Sequence, residues 1–513
     1  MSERLQKAIS YTIQAGYQLD SEAFALLETL SKTEDPLALM EKITKRIDET
    51  QQKPLFITRG LIEESITATA EKQIEVIKPP PEIPPIFESR KEDMKPPAKE
   101  IDADIMVLED PTGNMNTVGS MEEYQEYFLD RFKRLQRLLR QRIDARDSTP
   151  IAEAMKAPVN AKVKVIGMVT EKRESKQRAF LRLEDNESTA TVIVYSNLEA
   201  SVRERFQALL LDQVVCISAV KARNDLLILE DIFFPEVPQR TPNKAPEPVC
   251  AALISDLHIG SKLFMRTEFN RFLMWLNGKL GDRRWREMAG HVKYVMLAGD
   301  LVDGIGIYPK QTKELAIRDI HRQYASVSKF LQQIPDYIEL VIQPGNHDAS
   351  RKAMPQPALP KEYAETLYEA RKMYSLGNPC TVSLHGVELL MYHGRSLDDV
   401  FANTPNAGFN SPEAAMKLLL RGRHLAPIYG QRTPIAPGKR DFLVIDRVPD
   451  IFHAGHVHVL GHDRYRGVLV ANSGAWQKQT EYMSRLGLTP TPAVIPVVDL
   501  QTLQVTTLDF KAT

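Results

Sequence analysis

Apolar residues recur at helical spacing through the first 70 or so residues. The segments LQKAISYTI, EAFALLETL and LALMEKITKRI each place apolar side chains three or four positions apart, which is the spacing of one helix face. Ser21 could cap the second helix, and Pro36 stands where the third would begin. The pattern predicts a small helical domain over residues 1–74, serving either as a docking module or as a structural cap.

Dense prolines interrupt this pattern between residues 75 and 119. The stretch KPPPEIPP is followed by charged residues and a second KPP. Closely spaced prolines hold a chain extended and leave it few apolar side chains with which to build a core. We therefore expect a flexible, Pro-rich linker over 75–119.

An amphipathic pattern begins at Met121, and we predict a basic helix and connector over 120–158. Its apolar face would consist of Tyr124, Phe128, Phe132, Leu135 and Leu139. Its basic residues are Arg131, Lys133, Arg134, Arg137, Arg140 and Arg142. Such a helix either packs on a neighbouring domain with its charged face in solvent, or contacts phosphate groups.

Alternation with a period of two residues dominates the segment 159–240. One helical stretch, SVRERFQALL, interrupts five strand-like ones: VKVIGMVTEKR, RAFLRLED, TATVIVY, VVCISAVKAR and LLILEDIFF. This order is typical of an OB-fold β-barrel. Such a barrel either binds single-stranded nucleic acid, for which Phe180 and Tyr195 are the aromatic candidates, or forms a protein interface.

From Cys250 onward, metal-binding residue types follow successive apolar runs. VCAALIS precedes Asp256, YVMLAG precedes Asp300, YIELVIQP precedes Asn346 and VELLMY precedes His393, at intervals of 44, 46 and 47 residues. Loops that leave the ends of neighbouring core strands meet at one edge of a sheet. The spacing predicts that these side chains converge in an α/β domain over residues 249–513.

Net charge, cysteine spacing and the distribution of apolar residues bear on the possible partners and the cellular location. The formal net charge of -1 argues neither for nor against nucleic acid. The three cysteines show no CxxC spacing, which fits a reducing compartment. The N-terminus lacks a signal-peptide pattern and no long apolar run is present, so the expected location is the cytoplasm, away from membranes.

All eleven histidines lie at or beyond His258, which confines imidazole chemistry to the C-terminal half. The stretch FHAGHVHVL carries two of them two positions apart, so both project to the same side of a strand end. Together with the earlier residues they predict a two-metal site. Its candidate ligands are Asp256, His258, Asp300, Asn346, His393, His456 and His458.

Asp, Asn and His without Cys suit Mn²⁺, Mg²⁺, Fe²⁺ or Zn²⁺. Asp300 is the natural bridge between two cations, which would lower the pKa of a shared water toward neutrality. Asp256, His258 and His458 would complete one shell, and Asn346, His393 and His456 the other. His347 could protonate a leaving oxygen.

Two further side chains are candidate substrate contacts. Arg395, beside His393, is placed to meet a phosphate. Tyr308 lies in the loop after Asp300, together with Asp303; that loop either touches substrate or is explained by turn chemistry at its glycines. The insertion 403–440 is either a functional arm or a surface excursion.

The motifs SDLHIGS, LAGDLVDGIGIYP, QPGNHD, YHGRSLDD and GHVHVLGHD resemble those of the calcineurin-like metallophosphoesterases. The resemblance implies a multidomain α/β protein whose C-terminal domain is a four-layer αββα sandwich with the metals at one sheet edge. The preceding domains would be the OB-fold β-barrel and the small helical N-terminal domain.

The whole domain order resembles that of the small subunits of archaeal family-D DNA polymerases. This resemblance implies a 3′→5′ exonuclease, with Mn²⁺ the favoured metal, that shortens single-stranded or mispaired DNA 3′ ends. It also implies a large catalytic polymerase subunit as partner, and the sliding clamp as an indirect one. The residues alone leave open a non-catalytic scaffold, or a phosphatase or phosphodiesterase acting on smaller substrates.

Overall fold

The computed structural model describes residues 3–30, 35–48, 56–58, 60, 95–174, 178–223, 226–404 and 408–511. The chain divides into two compact units, Met1–Lys91 and Glu92–Thr513. Among the described residues, no helix combines the length and the apolar character needed to cross a membrane.

The smaller unit contains the three helices that the apolar spacing predicts. They are α1 (Glu3–Gln14), α2 (Ser21–Leu30) and α3 (Pro36–Asp48), accompanied by a parallel pair of short strands, β1 (Gln18–Leu19) and β2 (Phe56–Ile57). Leu5, Leu27 and Met40 lie in their common core. The cap of α2 is Asp20, whose carboxylate accepts a hydrogen bond from the Ala23 N–H at 2.7 Å, one residue before the predicted Ser21.

Five strands of the larger unit close into a β-barrel. They are β4 (Lys162–Glu174), β5 (Arg178–Glu184), β6 (Thr189–Tyr195), β7 (Val214–Lys221) and β8 (Leu226–Phe233), in the order β4-β5-β6-β8-β7. Because alternate residues point inward, side chains such as Leu181, Val192 and Ile217 fill the barrel. Phe180 is half-buried and Tyr195 is exposed on the outer surface.

Two six-stranded sheets form the rest of the larger unit. The first has the order β12-β11-β10-β9-β18-β19, with β9 (Cys250–Ile254), β10 (Val292–Ala298), β11 (Glu339–Gln343), β12 (Tyr374–Ser375), β18 (Val494–Asp499) and β19 (Val505–Asp509). The second has the order β16-β17-β15-β14-β13-β3, with β3 (Ile105–Glu109), β13 (Cys380–Leu384), β14 (Val387–Tyr392), β15 (Ile451–Ala454), β16 (Gly461–Tyr465) and β17 (Val468–Asn472).

The larger unit also contains helices, which separate groups of strands along the sequence. They are α4 (Met121–Arg140), α5 (Ile151–Ala154), α6 (Ala200–Gln207), α7 (Arg266–Leu276), α8 (Arg283–His291), α9 (Ile320–Leu331), α10 (Lys361–Ala370), α11 (Leu397–Asn403), α12 (Pro412–Gly422) and α13 (Glu481–Arg485).

Both sheets bury apolar side chains on both faces. Leu253 and Met296 of the first sheet share one core with Met391 of the second. The other face of the first sheet packs on α7 and α9, and the other face of the second sheet packs on α12. The region 403–440 is therefore not a surface excursion, because Met416 and Leu420 of α12 are part of that last core.

The Pro-rich linker predicted over 75–119 differs from the structure in its second half. Ile105–Glu109 forms β3, which pairs antiparallel with β13 at the edge of the second sheet. Ahead of it, the Ala98 carbonyl accepts a hydrogen bond from Lys293 Nζ at 3.1 Å. Strand β3 has five residues, and polar and apolar positions do not alternate along it. Such a strand leaves little periodic signal, so the sequence did not predict it. Residues 75–94 lie outside the described residues.

Helix α4 connects the barrel to the second sheet. Phe132, Leu135 and Leu139 share a core with Val214 of the barrel and Val444. This packing matches the predicted apolar face.

The basic face of α4 matches the expectation of solvent contact only in part: Lys133, Arg137 and Arg140 are exposed, whereas Arg131 and Arg134 are buried. Arg131 is 1% exposed and its Nε lies 2.7 Å from Asp441 Oδ2. Arg134 pairs with Asp446 at 2.6 Å. The carboxylates that neutralise these arginines come from a segment some 310 residues away, so spacing within the helix could not reveal them.

Asp441 is the centre of a fully buried polar cluster. In addition to Arg131, its carboxylate accepts hydrogen bonds from the Tyr127 hydroxyl at 2.7 Å and from His424 Nε2 at 2.8 Å. The Ala426 N–H donates to His424 Nδ1 at 3.1 Å, so His424 is held as the neutral Nε2–H tautomer. The cluster ties α4 to the chain after α12.

We expect Asp441→Asn to lower the free energy of unfolding of the larger unit by about 3–5 kcal/mol, because Arg131 would keep its buried charge without a counter-ion. Urea titration followed by tryptophan fluorescence measures this unit alone, since Trp275, Trp285 and Trp476 all lie in it. The control is Asp144→Asn. Its pair with Arg142 is partly exposed and should contribute no more than about 1 kcal/mol. Equal losses in the two variants would contradict the assignment.

His424 should make stability fall with acidity. Burial, and then the charge of Arg131, lower the pKa of His424 to about 4, whereas the unfolded chain binds this proton near pH 6.5. Between those values the unfolded state takes up the proton first, so stability is lost as pH falls through that window, by about 3 kcal/mol. His424→Gln keeps a donor and an acceptor but does not titrate. Urea midpoints at several pH values should show a shallower decline for this variant than for wild type.

Candidate metal centre

Each predicted ligand lies just beyond the carboxyl end of a parallel strand. Asp256 and His258 follow β9, Asp300 follows β10 and Asn346 follows β11 in the first sheet. In the second sheet, His393 follows β14, and the pair His456 and His458 follows β15. The two sheets bring these ends together at one edge, as loop positions in open α/β sheets predict.

The loops that carry the ligands have an unusual backbone. Five of the seven predicted ligands adopt positive φ, between 51° and 70°: Asp256, His258, Asp300, His456 and His458. Such left-handed residues are uncommon for side chains other than glycine and concentrate at functional sites. Close packing of the loops also requires Gly345, because a Cβ there would collide with Asp300 Oδ1.

Asp256, His258 and His458 form the first cluster, and all three are buried. His458 Nε2 lies 3.4 Å from Asp256 Oδ1 and 3.0 Å from His258 Nε2. Asp256 Oδ1 has no hydrogen-bond partner although it is fully buried. The donor atoms of these three side chains all lie within 4.8 Å of one another, close enough to hold an ion.

Asp300, Asn346 and His393 form the second cluster. His393 Nε2 lies 3.3 Å from Asp300 Oδ2 and 3.0 Å from Asn346 Oδ1. Asp300 Oδ2 is also 3.7 Å from His258 Nε2, so this carboxylate reaches both clusters. The predicted bridging role of Asp300 remains a prediction.

His456 lies at the margin of the second cluster. Its ring centroid is 5.2 Å from that of His393, and its Nε2 lies 3.3 Å from Asp398 Oδ2. Because Asp398 occupies Nε2, Nδ1 is the nitrogen left to coordinate an ion. The Asp398 contact was missed by the sequence analysis.

Partners on the far side of the ring orient the imidazoles of His258 and His393, whereas the buried Nδ1 of His458 has no hydrogen-bond partner. His258 Nδ1 lies 3.1 Å from Asp303 Oδ1, and His393 Nδ1 lies 2.8 Å from the Ala298 carbonyl oxygen. Both contacts place the ring proton on Nδ1 and leave Nε2 as the ligand atom, an arrangement common around protein-bound metals. Gln477 Nε2 in turn donates to Asp303 Oδ1 at 3.1 Å.

The electrostatics of the site favour added positive charge. Burial lowers the pKa of His258, but Asp256 and Asp303 outweigh it and raise this pKa to about 10. Asp300 likewise overcomes burial and raises the pKa of His393 to about 9. Burial alone would raise the pKa of Asp300, yet His393 and His347 hold it well below its usual value. The carboxylates thus attract cationic partners, and a divalent ion can replace those protons. The donor set fits such an ion.

His347 lies beside the first cluster and, with His258 and Asp303, forms a further group whose side-chain donor atoms are close enough together to hold an ion. Its Nδ1 lies 2.8 Å from the Asp303 carbonyl oxygen, and its ring centroid is 4.6 Å from that of His258. Burial lowers the pKa of His347 to about 4, so its Nε2 is unprotonated at neutral pH. Donation of a proton to a leaving oxygen therefore requires that a bound phosphate raise this pKa.

The clusters open into a cleft of about 480 Å³. Arg395 and Tyr308, the predicted substrate contacts, both line it, and the Tyr308 hydroxyl donates to Glu314 at 2.8 Å. Arg432 also lines the cleft, and its backbone N–H donates to Asp399 Oδ1 at 3.0 Å. Arg432 was not predicted, because it lies in the insertion without a motif around it.

Asp348, also missed by the sequence analysis, joins two ligand loops. Its buried carboxylate accepts hydrogen bonds from the Leu301 N–H at 3.2 Å, the Gly345 N–H at 2.9 Å and the Tyr324 hydroxyl at 3.1 Å. It thereby fixes the loop of Asp300 against the loop of Asn346. Its place at the end of GNHD was the one signal that could have indicated it.

Comparison with known proteins finds sequence similarity to subunits of DNA polymerases. A sequence model of the family of DNA polymerase alpha/epsilon B subunits matches residues 251–459. The DNA polymerase II small subunit of Methanocaldococcus jannaschii is 38% identical over 79% of this chain and 68% of its own length. That of Archaeoglobus fulgidus is 38% identical over 88% of this chain and 89% of its own length.

Among solved structures, a novel archaeal phosphodiesterase is 14% identical with a TM-score of 0.26, covering 51% of this chain and 99% of its own.

The clusters should bind divalent metal in a way that depends on Asp303. We expect the wild-type chain to bind Mn²⁺, and Asp303→Ala to weaken binding about 10- to 100-fold because His258 loses its orienting partner. Isothermal titration calorimetry measures both affinities. The control is His462→Ala, an exposed histidine outside the clusters, which should bind Mn²⁺ as wild type does. An unchanged affinity in Asp303→Ala would contradict the proposed orientation.

Proposed function

The chain belongs to the family of DNA polymerase II small subunits, and from that premise we propose that it carries a metal-dependent 3′→5′ exonuclease serving a replicative DNA polymerase. Its substrates would be single-stranded or mispaired 3′ ends. The observation that carries this proposal is the buried Asp, His and Asn set at the cleft floor. A purely structural subunit would not need buried carboxylates facing one another and an open cleft.

The ligand assignment follows the two clusters. Asp256, His258 and His458 would hold one ion, while Asn346, His393 and His456 would hold the other, with Asp300 shared. Two divalent ions, Mn²⁺ being the favoured metal, would supply charge that polarises a phosphodiester and makes water a better nucleophile.

The chain's own side chains would complete the chemistry. Arg395, half-buried in the cleft wall, would bind a phosphate oxygen through its guanidinium. Attack of a water oxygen on phosphorus breaks the bond to the 3′ oxygen of the penultimate nucleotide. His347 Nε2, fixed through Nδ1 to the Asp303 carbonyl, would deliver a proton to that oxygen. Tyr308 would line the substrate's path.

The remaining domains fit a polymerase subunit. We propose that the five-stranded barrel is an OB-fold and that the two sheets with their helices form the four-layer αββα metallophosphoesterase sandwich. The helical N-terminal unit would dock on a partner. That partner would be the large catalytic subunit, through which the chain would reach the sliding clamp.

The direct test is digestion of labelled single-stranded and 3′-mispaired oligonucleotides by the purified chain with Mn²⁺. We expect nucleotide release from the 3′ end, abolished in Asp300→Ala. His347→Gln should keep the bound metal but lower kcat by about 10²- to 10⁴-fold, because only the proton transfer is lost. Metal content is measured in parallel.

Three outcomes separate the alternatives. Unchanged digestion in Asp300→Ala would overturn the assignment of the site. Absence of metal and of turnover in the wild-type chain would favour a scaffold. Faster turnover of a chromogenic phosphomonoester or small phosphodiester than of the oligonucleotide would favour a phosphatase or a small-molecule phosphodiesterase.

A further inference from the structure

One wall of the cleft contributes nothing to the metal clusters. It is apolar, and consists of Phe409, Val457, Tyr482, Met483, Leu486 and Leu488. The other lining residues include the predicted ligands His258, Asp300, Asn346, His456 and His458, together with His347, Arg395 and Arg432. The cleft lining therefore combines ionisable and apolar side chains.

The apolar wall is firmly attached to the fold. Leu488 is buried in the core between the second sheet and α12, and Phe409 and Met483 pack against the same core. Thr480 caps α13 by accepting a hydrogen bond from the Met483 N–H at 3.2 Å. Gln479 Nε2 donates to the Leu488 carbonyl oxygen at 2.8 Å and closes the turn after α13.

The outer end of this wall stays open to solvent. Tyr482 is 61% exposed and Leu486 is 41% exposed, although both line the cleft. Both side chains expose apolar surface within the cleft. Binding of a flat apolar group would displace water from this surface, which favours binding.

The same chain segment connects the wall to the metal clusters. Gln477, five residues before Tyr482, donates to Asp303, which orients His258. The backbone N–H of Trp476 donates to the Asp256 carbonyl oxygen at 2.9 Å. The segment that leads into the wall is thus hydrogen-bonded to the loops that carry the predicted ligands, and the wall and the clusters line the same cleft.

A ligand for the whole cleft needs an anionic group at one end and a flat apolar ring at the other. A nucleotide has both. The cleft volume of about 480 Å³ falls within the roughly 300–1,000 Å³ that is typical of small-ligand sites. Aromatic side chains stack on any of the four bases, because each base presents a π-face.

We propose that this wall, through Phe409, Tyr482, Met483 and Leu486, receives the terminal nucleobase of the strand being shortened. The inference rests on the proposed exonuclease function and gives it a specificity. A base that lies on this wall cannot at the same time be stacked and paired in a duplex. The site therefore selects 3′ ends whose last nucleotide is already unpaired.

The test uses the full chain with Mn²⁺ and two single-stranded oligonucleotides, one ending in a normal 3′ nucleotide and one in a 3′ abasic sugar. Wild type should show a KM about tenfold lower for the normal end, the size expected for one base–aromatic stack. Tyr482→Ala should raise the KM for the normal end about tenfold and leave the abasic end unchanged, so that discrimination disappears. Leu486→Ser should act in the same direction.

Two control variants lie on the same helix. Tyr482→Phe keeps the ring and should retain discrimination. Arg485→Ala removes an exposed side chain that pairs with Glu481 and does not line the cleft, so it should behave as wild type. Equal losses on both substrates in Tyr482→Ala would show a structural role and would overturn the proposal, as would full discrimination in that variant.

A binding measurement separates this proposal from the proposed activity. An oligonucleotide ending in 3′ 2-aminopurine should change its fluorescence on binding to wild type, and this change should be lost in Tyr482→Ala and kept in Arg485→Ala. If no strand is digested but this pattern appears, the base site stands and the exonuclease function fails. If wild type and Tyr482→Ala give the same change, the base site is refuted whatever the activity.

Discussion

The site depends on one electrostatic constraint: two carboxylates, Asp256 and Asp300, are buried where parallel strands of two sheets end. Anions in such a position are tolerated only beside positive charge or strong hydrogen-bond donors. The imidazoles of His258, His393 and His458 gather around them for this reason. The same requirement explains why the outer shell consists of acceptors such as Asp303, which turn the imidazole lone pairs inward. The same contacts between carboxylates and imidazoles therefore stabilise the buried charges and hold the loops together.

A second buried charge cluster joins the domains. Asp441 receives Arg131 from α4, while the apolar side of that helix packs against the barrel. Two residues of α11 extend the connection to the cleft: Asp398 meets His456, and Asp399 holds the backbone of Arg432. The chain between α12 and β15 thus contacts both α4, through Asp441, and α11, through the Arg432 backbone.

Periodic patterns within short segments predicted the individual helices and barrel strands. Helical spacing located α1 to α4, and alternation located all five barrel strands, because each pattern reflects burial within one element. The ligand motifs were recognisable because each pairs an apolar run with Asp, Asn or His at its end. What the sequence could not show depends on partners distant along the chain. Examples are the burial of Arg131 by Asp441, the sheet pairing of β3, and the contact of Gln477 with Asp303.

The left-handed backbone of five predicted ligands restricts how such a site can change over evolutionary time. Asp, Asn and His tolerate positive φ, whereas β-branched side chains such as Val or Ile resist it. A lineage that abandoned the chemistry could therefore exchange Asp for Asn, or His for Gly, with little harm to the loops. It could not fill the site with bulky branched residues unless the loops rearranged. An inactive descendant would be expected to retain the outline of the site after its ligands had gone.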